Sequence, residues 1–217
     1  MMKRMMMIGA ALLLTAACNR NTDPVSNVVE ASEDPGLQQK NFTSKCSITP
    51  IDAIVSGILT GGDAAMKSTS TVYRFQGEGL TRTTNIYESS DCSGEVALVF
   101  TETGKFDILD DNQTPEGARL VNFGYEKVTL KVQNAKGVEA ANALSLCGTN
   151  NWVDNQEADV TTRAADLTCY NATVPRLVAN IYKLEGSILY LGTPSKDGVG
   201  EASRPTSLDR NQAYIER

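Results

Sequence analysis

The amino-acid sequence predicts a mainly β domain: an eight-stranded antiparallel up-and-down β-barrel preceded by a short helix. About eight segments between residues 71 and 192 alternate apolar and polar side chains with the period of a β-strand. Short stretches rich in Gly, Ser and Asp separate them, as antiparallel hairpins require. A closed barrel is favoured because closure removes exposed strand edges. A two-sheet β-sandwich has the same strand count and is the alternative fold.

The first 17 residues have the three parts of a secretory signal peptide. Lys3 and Arg4 are positively charged, residues 5–14 are apolar apart from Gly9, and residues 15–17 are small. The apolar run is shorter than the ~20 residues of a membrane-spanning helix. Small residues directly before Cys18 resemble a bacterial lipobox, which implies cleavage after residue 17 and fatty acyl groups such as palmitate on Cys18. We therefore expect a lipoprotein anchored in the bacterial cell envelope, and Asn19 favours the outer membrane in the sorting pattern of such proteins.

Charge and histidine content exclude several classes of function. The full chain has a formal net charge of −6, and removal of the signal peptide with Lys3 and Arg4 makes it two units more negative. An acidic surface repels phosphate backbones, so we expect no nucleic-acid partner. The chain has no histidine, which excludes Ser-His-Asp and Cys-His catalysis. We expect no enzyme activity, no metal and no cofactor.

Four cysteines remain in the mature chain besides Cys18, and they are Cys46, Cys92, Cys147 and Cys169. An even number in an exported protein indicates two disulfides, for which three pairings exist. Cys147 and Cys169 flank the only large insertion between strands, so we expect them to bond to each other. Cys46 would then pair with Cys92. None lies in a C-x-x-C pair, which argues against zinc.

The N-terminal third divides into a tether and a helix. Residues 18–44 are polar and without apolar periodicity, which predicts a flexible lipidated tether. The barrel domain is then expected over residues 45–217. Thr49 and Pro50 are typical of a helix start, and apolar residues at 51, 54, 55 and 58 follow at helical spacing up to Gly61.

The predicted strands follow one another closely. They cover residues 71–76, 81–88, 95–101, 105–109, 118–132 (one long strand, or two that bend near Gly124), 158–168, 177–184 and 187–192. Residues 134–146 are Ala-rich and predict a short helix or a wide loop. Glu185 and Gly186 predict a tight hairpin turn.

Several segments resemble lipocalin-like, calycin-type bacterial lipoproteins. They are NIYESSDCSG (85–94), LCGTNNW (146–152), NIYKLEGSILYLG (180–192) and RPTSLDRNQAY (204–214). The resemblance covers roughly residues 70–215. It implies a ligand-binding barrel whose Arg204-Pro205-Thr206 segment packs back on the wall. The Gly-x-Trp motif that lipocalins carry near the first strand is missing, since the sole tryptophan is Trp152.

Strand alternation indicates which aromatic residues face the barrel interior. Tyr73 and Phe75 alternate with polar residues, and Tyr182 alternates with Lys183, whose ammonium group is costly to bury. We expect Tyr73, Phe75, Tyr182 and Tyr190 to line a pocket for a small apolar ligand. An eight-stranded barrel is just wide enough to hold one small ligand or to be filled by its own side chains. The second hypothesis is therefore an envelope scaffold protein with a filled barrel that presents its loops to a partner.

Overall fold

Nine β-strands are present in the computed structural model, which describes residues 36–48, 66–114, 116–193 and 200–217, without the side chains of 110–113. The strands are β1 (Asn41–Ser44), β2 (Ser68–Gln76), β3 (Gly79–Tyr87), β4 (Val96–Gln113), β5 (Arg119–Val132), β6 (Glu157–Asp159), β7 (Arg176–Glu185), β8 (Ile188–Gly192) and β9 (Leu208–Glu216). No helix within these residues is long and apolar enough to cross a membrane.

Eight of the strands form a closed antiparallel barrel. Each of β1 to β5 pairs with the next strand along the chain, β5 also pairs with β7, and β7, β8 and β9 follow in order. Pairing of β1 with β9 closes the barrel, with Thr43 opposite Ile215. The short strand β6 pairs only with the far end of β5, opposite residues 129–131. The predicted up-and-down barrel is confirmed, and the β-sandwich alternative is excluded because the sheet is continuous.

The first and last barrel strands were not among the predicted segments. The chain joins the barrel before residue 45, because β1 lies within the expected tether and Leu37 and Phe42 are fully buried. The four-residue β1 is too short for its alternation to be recognised in the sequence. The strand expected over residues 158–168 is wrong. Only residues 157–159 are extended there, and a 3₁₀ turn (Thr161–Arg163) follows.

A single α-helix, α1 (Ala135–Ala143), lies among the described residues. Its first turn is capped by the Asn134 side chain, which accepts a hydrogen bond of 2.8 Å from the backbone N–H of Gly137. A Cβ at Gly137 would lie 2.2 Å from the carbonyl oxygen of Ala97. Glycine at this position therefore lets α1 pack directly on the start of β4. The helix predicted from Thr49 to Gly61 lies outside the described residues.

Both expected disulfides are present. Cys46 pairs with Cys92 across 46 residues, and Cys147 pairs with Cys169 across 22 residues. The first ties the segment after β1 to the turn between β3 and β4. The second closes a loop within the long connection between β5 and β7.

The C-terminal segment packs on the barrel wall as expected. The Arg204 guanidinium donates hydrogen bonds to the carbonyl oxygens of Val121 (2.9 Å) and Asn180 (2.6 Å) and also pairs with Glu201. Pro205 lies against the backbone of Gly192, where a Cβ would be only 2.5 Å from the proline ring. The guanidinium thus bridges β5 and β7 from outside.

Two apolar clusters fill the interior and one end. The aromatic cluster consists of Leu37, Phe42, Tyr73, Phe75, Leu80, Phe106, Ile108, Val121, Phe123, Tyr125, Tyr182, Leu189, Leu191 and Tyr214. The helix-side cluster joins the ends of β4 and β5 to α1 and the long connection, and includes Ile86, Leu98, Phe100, Leu130, Ala141, Leu146, Trp152 and Tyr170.

Candidate functional site

Three of the four predicted pocket residues lie together in the barrel interior. Tyr73, Phe75 and Tyr182 belong to the aromatic cluster and are each at most 6% exposed. The neighbouring Lys183 points to the outside, where its ammonium group donates to the carbonyl oxygen of Glu116 at 2.8 Å. Alternation of apolar and charged residues therefore assigned these strand faces correctly.

Tyr190 lies on the opposite face of the sheet. Its neighbours on β8, Leu189 and Leu191, are in the aromatic cluster, so alternation directs Tyr190 outward. It packs on a small outer cluster of Ala118, Ile181 and Leu208, and the Arg210 guanidinium lies 4.6 Å from its ring centroid. The structure does not bring Tyr190 together with the other three residues.

The rings of the aromatic cluster are in mutual contact. The Tyr73 ring centroid lies 5.2 Å from that of Tyr214 and 6.0 Å from that of Phe123, and the Phe75 centroid lies 5.0 Å from that of Phe106. Such separations are typical of packed aromatic pairs. This part of the interior is thus filled by its own side chains.

A row of polar residues crosses the same interior and forms what we call the ionic belt: Tyr73, Arg82, Glu102, Tyr125 and Arg176. Strand register places Tyr73 opposite Arg82, Arg82 opposite Glu102, and Tyr125 opposite Arg176. Residues opposed on antiparallel strands point to the same face of the sheet. The belt therefore runs across β2, β3, β4, β5 and β7.

The strand contact beside Glu102 depends on a glycine pair. The register of β4 against β5 shifts between Thr103 and Gly104. A Cβ at Gly104 would lie 1.9 Å from the carbonyl oxygen of Gly124. Only glycine permits this close approach, which is part of what positions the Glu102 and Tyr125 side chains in the belt.

Ion pairs hold the belt together. Glu102 is fully buried, and its two carboxylate oxygens lie 3.2 Å from Nη1 of Arg82 and 2.6 Å from Nη2 of Arg176. The Arg176 guanidinium lies 4.7 Å from the ring centroid of Tyr125 and 5.7 Å from that of Tyr170. Because those rings belong to different clusters, the belt lies where the aromatic and helix-side clusters meet.

The tyrosines around the belt stay protonated at neutral pH. Burial, followed by the negative charge of Glu102, raises the pKa of Tyr125 to about 12 and raises the pKa of Tyr170. Burial also raises the pKa of Tyr214 to about 12 and that of Tyr73. Burial alone lowers the pKa of Arg82, but Tyr170 and Glu102 outweigh it, and the overall shift is upward. The belt therefore combines charged guanidinium groups with neutral hydroxyls.

Nη1 of Arg176 and the hydroxyl of Tyr182 are among the buried polar atoms that have no hydrogen-bond partner in the described residues. The Arg176 side chain is 7% exposed. Tyr182 lies six residues further along β7 on the same face, roughly 20 Å away at ~3.4 Å per residue. The two atoms thus mark separate positions along the interior.

Sequence reasoning missed the charged members of the belt. Arg82 and Glu102 have the parity of buried neighbours, with Arg82 two residues after Leu80 and Glu102 two after Phe100. This alternation with buried residues was the sequence pattern that could have placed Arg82 and Glu102 in the interior. It was not used because ionised side chains are seldom buried unless they are paired.

The Trp152 ring is buried and is not presented beside the acidic residues that follow it in the sequence. Trp152 is 3% exposed, and its indole N–H donates to the carbonyl oxygen of Leu146 at 3.1 Å. Asp159 pairs with Lys127 at 3.5 Å. Within the described ranges, no group of three or more Cys, Asp or Glu residues is arranged to hold a metal ion.

A scan against protein-family models finds no match to the chain, and a search of curated proteins finds no significant match. What the chain can bind must therefore be argued from the barrel and its ionic belt.

Proposed function

We propose that this protein is a non-enzymatic, lipid-anchored protein of the bacterial envelope whose barrel binds a small, largely apolar ligand. The ionic belt is the observation that carries the proposal. A protein in which hydrophobic residues replace a buried ion network is often as stable as the original or more stable. Fold stability alone therefore gives little reason for the presence of Arg82, Glu102 and Arg176. Buried charged groups converging inside an otherwise apolar enclosure are typical of binding sites.

The lipid anchor is supported by the residues before Cys18 and by two disulfides, which form in oxidising compartments outside the cytoplasm. Metabolic labelling with a radioactive fatty acid tests it. We expect label on the wild-type protein and none on Cys18→Ser. A Cys18→Ser protein that retains label would refute the anchor.

The test for a ligand is native mass spectrometry of the mature chain produced with Cys18→Ser, so that the covalent lipid does not interfere. We expect a mass above that of the polypeptide, and extraction with organic solvent should release the bound molecule. Lysozyme, which has no apolar ligand cavity, is taken through the same extraction and controls for carry-over. Repeated observation of the bare polypeptide mass, from protein prepared under gentle conditions, would contradict ligand binding.

The second candidate is a scaffold with a filled barrel, favoured by the ring contacts of the aromatic cluster. Tyr73→Ala separates the two. In a filled barrel the change should destabilise the fold by about 3–5 kcal/mol, as large-to-small core substitutions do. In a ligand-binding barrel the contacting rings must separate to admit the ligand, so the change should weaken binding at a smaller cost in stability. A large stability loss, together with absence of bound molecules in the wild type, would support the scaffold.

A further inference from the structure

Arg176 is only partly satisfied by its neighbours in the ionic belt. Its Nη2 atom lies 2.6 Å from Glu102, while Nη1 is buried without a hydrogen-bond partner among the described residues. The side chain is 7% exposed, so solvent does not readily replace the missing acceptor. A buried donor left without an acceptor costs free energy, and such atoms in native proteins require an explanation.

The missing acceptor has a recognisable chemistry. A guanidinium group is planar, permanently charged and shaped to donate paired hydrogen bonds to a carboxylate. Glu102 already supplies one carboxylate to the belt, and it contacts Arg82 as well as Arg176. A second carboxylate at Nη1 would satisfy the remaining donor of Arg176. The neighbouring Tyr125 and Tyr170 are protonated at neutral pH and add no competing negative charge.

The surroundings of Arg176 define the rest of the ligand. Its guanidinium contacts the ring of Tyr125, and the aromatic cluster continues from there along the barrel through Phe123, Tyr73 and Phe75. These side chains lie on one side of Arg176 and are apolar, but they contact one another, so a ligand tail must displace some of those ring contacts. A molecule that matches them has an acidic group at one end and an apolar chain at the other.

We propose that Arg176 binds the carboxylate of an amphiphilic ligand, a monocarboxylic acid with an apolar tail that lies against the aromatic cluster. The inference rests on the proposed ligand-binding function and adds the chemical class of the ligand. Arg176 donates to the ligand through Nη1 while Nη2 keeps its ion pair with Glu102. Specificity for an acid over its ester follows, because an ester has no negative charge to pair with the guanidinium.

The experiment compares a fluorescent fatty acid, 11-(dansylamino)undecanoic acid, with its methyl ester on the mature Cys18→Ser chain. We expect the acid to bind about tenfold or more tightly than the ester, as a charge-assisted hydrogen bond implies. Arg176→Met should remove that preference by weakening the acid alone. Arg176→Lys should restore part of it, because the positive charge returns. Arg163→Gln, at a half-exposed arginine away from the belt, is the matched control and should change neither affinity.

The outcomes separate the two proposals. Equal affinity of the wild type for acid and ester would overturn the role of Arg176 while leaving a ligand-binding barrel. Binding of neither probe, with no bound molecule in native mass spectra, would overturn both. If Arg176→Met does not fold, the acid-to-ester ratio in the wild type and in Arg176→Lys decides. A ratio of one in both would refute the inference.

Discussion

The Glu102→Gln variant should unfold at a much lower denaturant concentration than the wild-type protein. Glu102 is fully buried, and its carboxylate contacts one guanidinium at 3.2 Å and another at 2.6 Å. Glutamine has nearly the same shape but no charge, so two buried guanidinium groups lose their shared counter-ion. Removing one partner of a buried ion network typically costs about 3–5 kcal/mol. At about 2–4 °C per kcal/mol for a domain of this size, the melting temperature should fall by roughly 6–20 °C.

Urea unfolding followed by the fluorescence of Trp152 measures this loss, since that tryptophan is the only one and is buried in the helix-side cluster. Glu157→Gln, on the exposed edge of β6, is the matched control and should stay within about 0.5 kcal/mol of wild type. A loss below about 1 kcal/mol for Glu102→Gln would refute the reasoning, because it would mean that the belt is hydrated rather than desolvated.

A combined variant separates the effect of an unpaired charge from the effect of the network itself. Changing Arg82 to Met, Glu102 to Leu and Arg176 to Met removes the ions together. Buried ion networks replaced in this way often give proteins as stable as the original or about 1–4 kcal/mol more stable. We therefore expect the triple variant to be clearly more stable than Glu102→Gln alone and to lose preference for an acidic ligand. A triple variant less stable than the single one would indicate that the ions stabilise the fold outright.

Three further predictions concern stability. Gly104→Ala places a Cβ 1.9 Å from a carbonyl oxygen and should cost about 1–3 kcal/mol or more in urea unfolding, whereas Gly124→Ala, with 3.7 Å of clearance, should cost clearly less. The raised pKa of Tyr125, about 12, gives stability that is complete below the unfolded value of ~10 and is lost as pH rises towards 12. Near pH 12, tyrosinate absorbance should therefore rise while the near-ultraviolet circular dichroism signal is lost. The Tyr125→Phe variant should show a smaller rise in absorbance. Complete tyrosinate formation by pH 11 in a protein that is still folded would contradict this prediction. Changing Cys147 and Cys169 together to Ser should cost about 3 kcal/mol, given a 22-residue loop, and an unchanged unfolding midpoint would refute this contribution.

The sequence by itself determined the barrel, the disulfide pairs and the interior faces of β2 and β7. Side-chain alternation is a local property of extended backbone, so Tyr73, Phe75 and Tyr182 could be assigned to the interior before any pairing was known. Cysteine pairing followed from the position of one insertion. Because alternation holds only within one strand, the orientation of Tyr182 on β7 does not predict that of Tyr190 on β8. The burial of Leu189 and Leu191, its neighbours on β8, shows that Tyr190 points outward.

Tertiary structure decided what the interior contains. β1 was identified only through its pairing with β2 and β9, since a four-residue strand carries too little pattern to be recognised alone. The nine-residue β9, which was also not predicted, is placed by its pairing with β1 and β8. Arg82 and Glu102 were not predicted to lie in the interior, because burial of a single ion is costly. Their burial becomes tolerable only when strand register brings them, and Arg176 from a strand more than 70 residues further along the chain, within ion-pairing distance. Such a pairing depends on the closed sheet as a whole, and no local pattern in the chain encodes it.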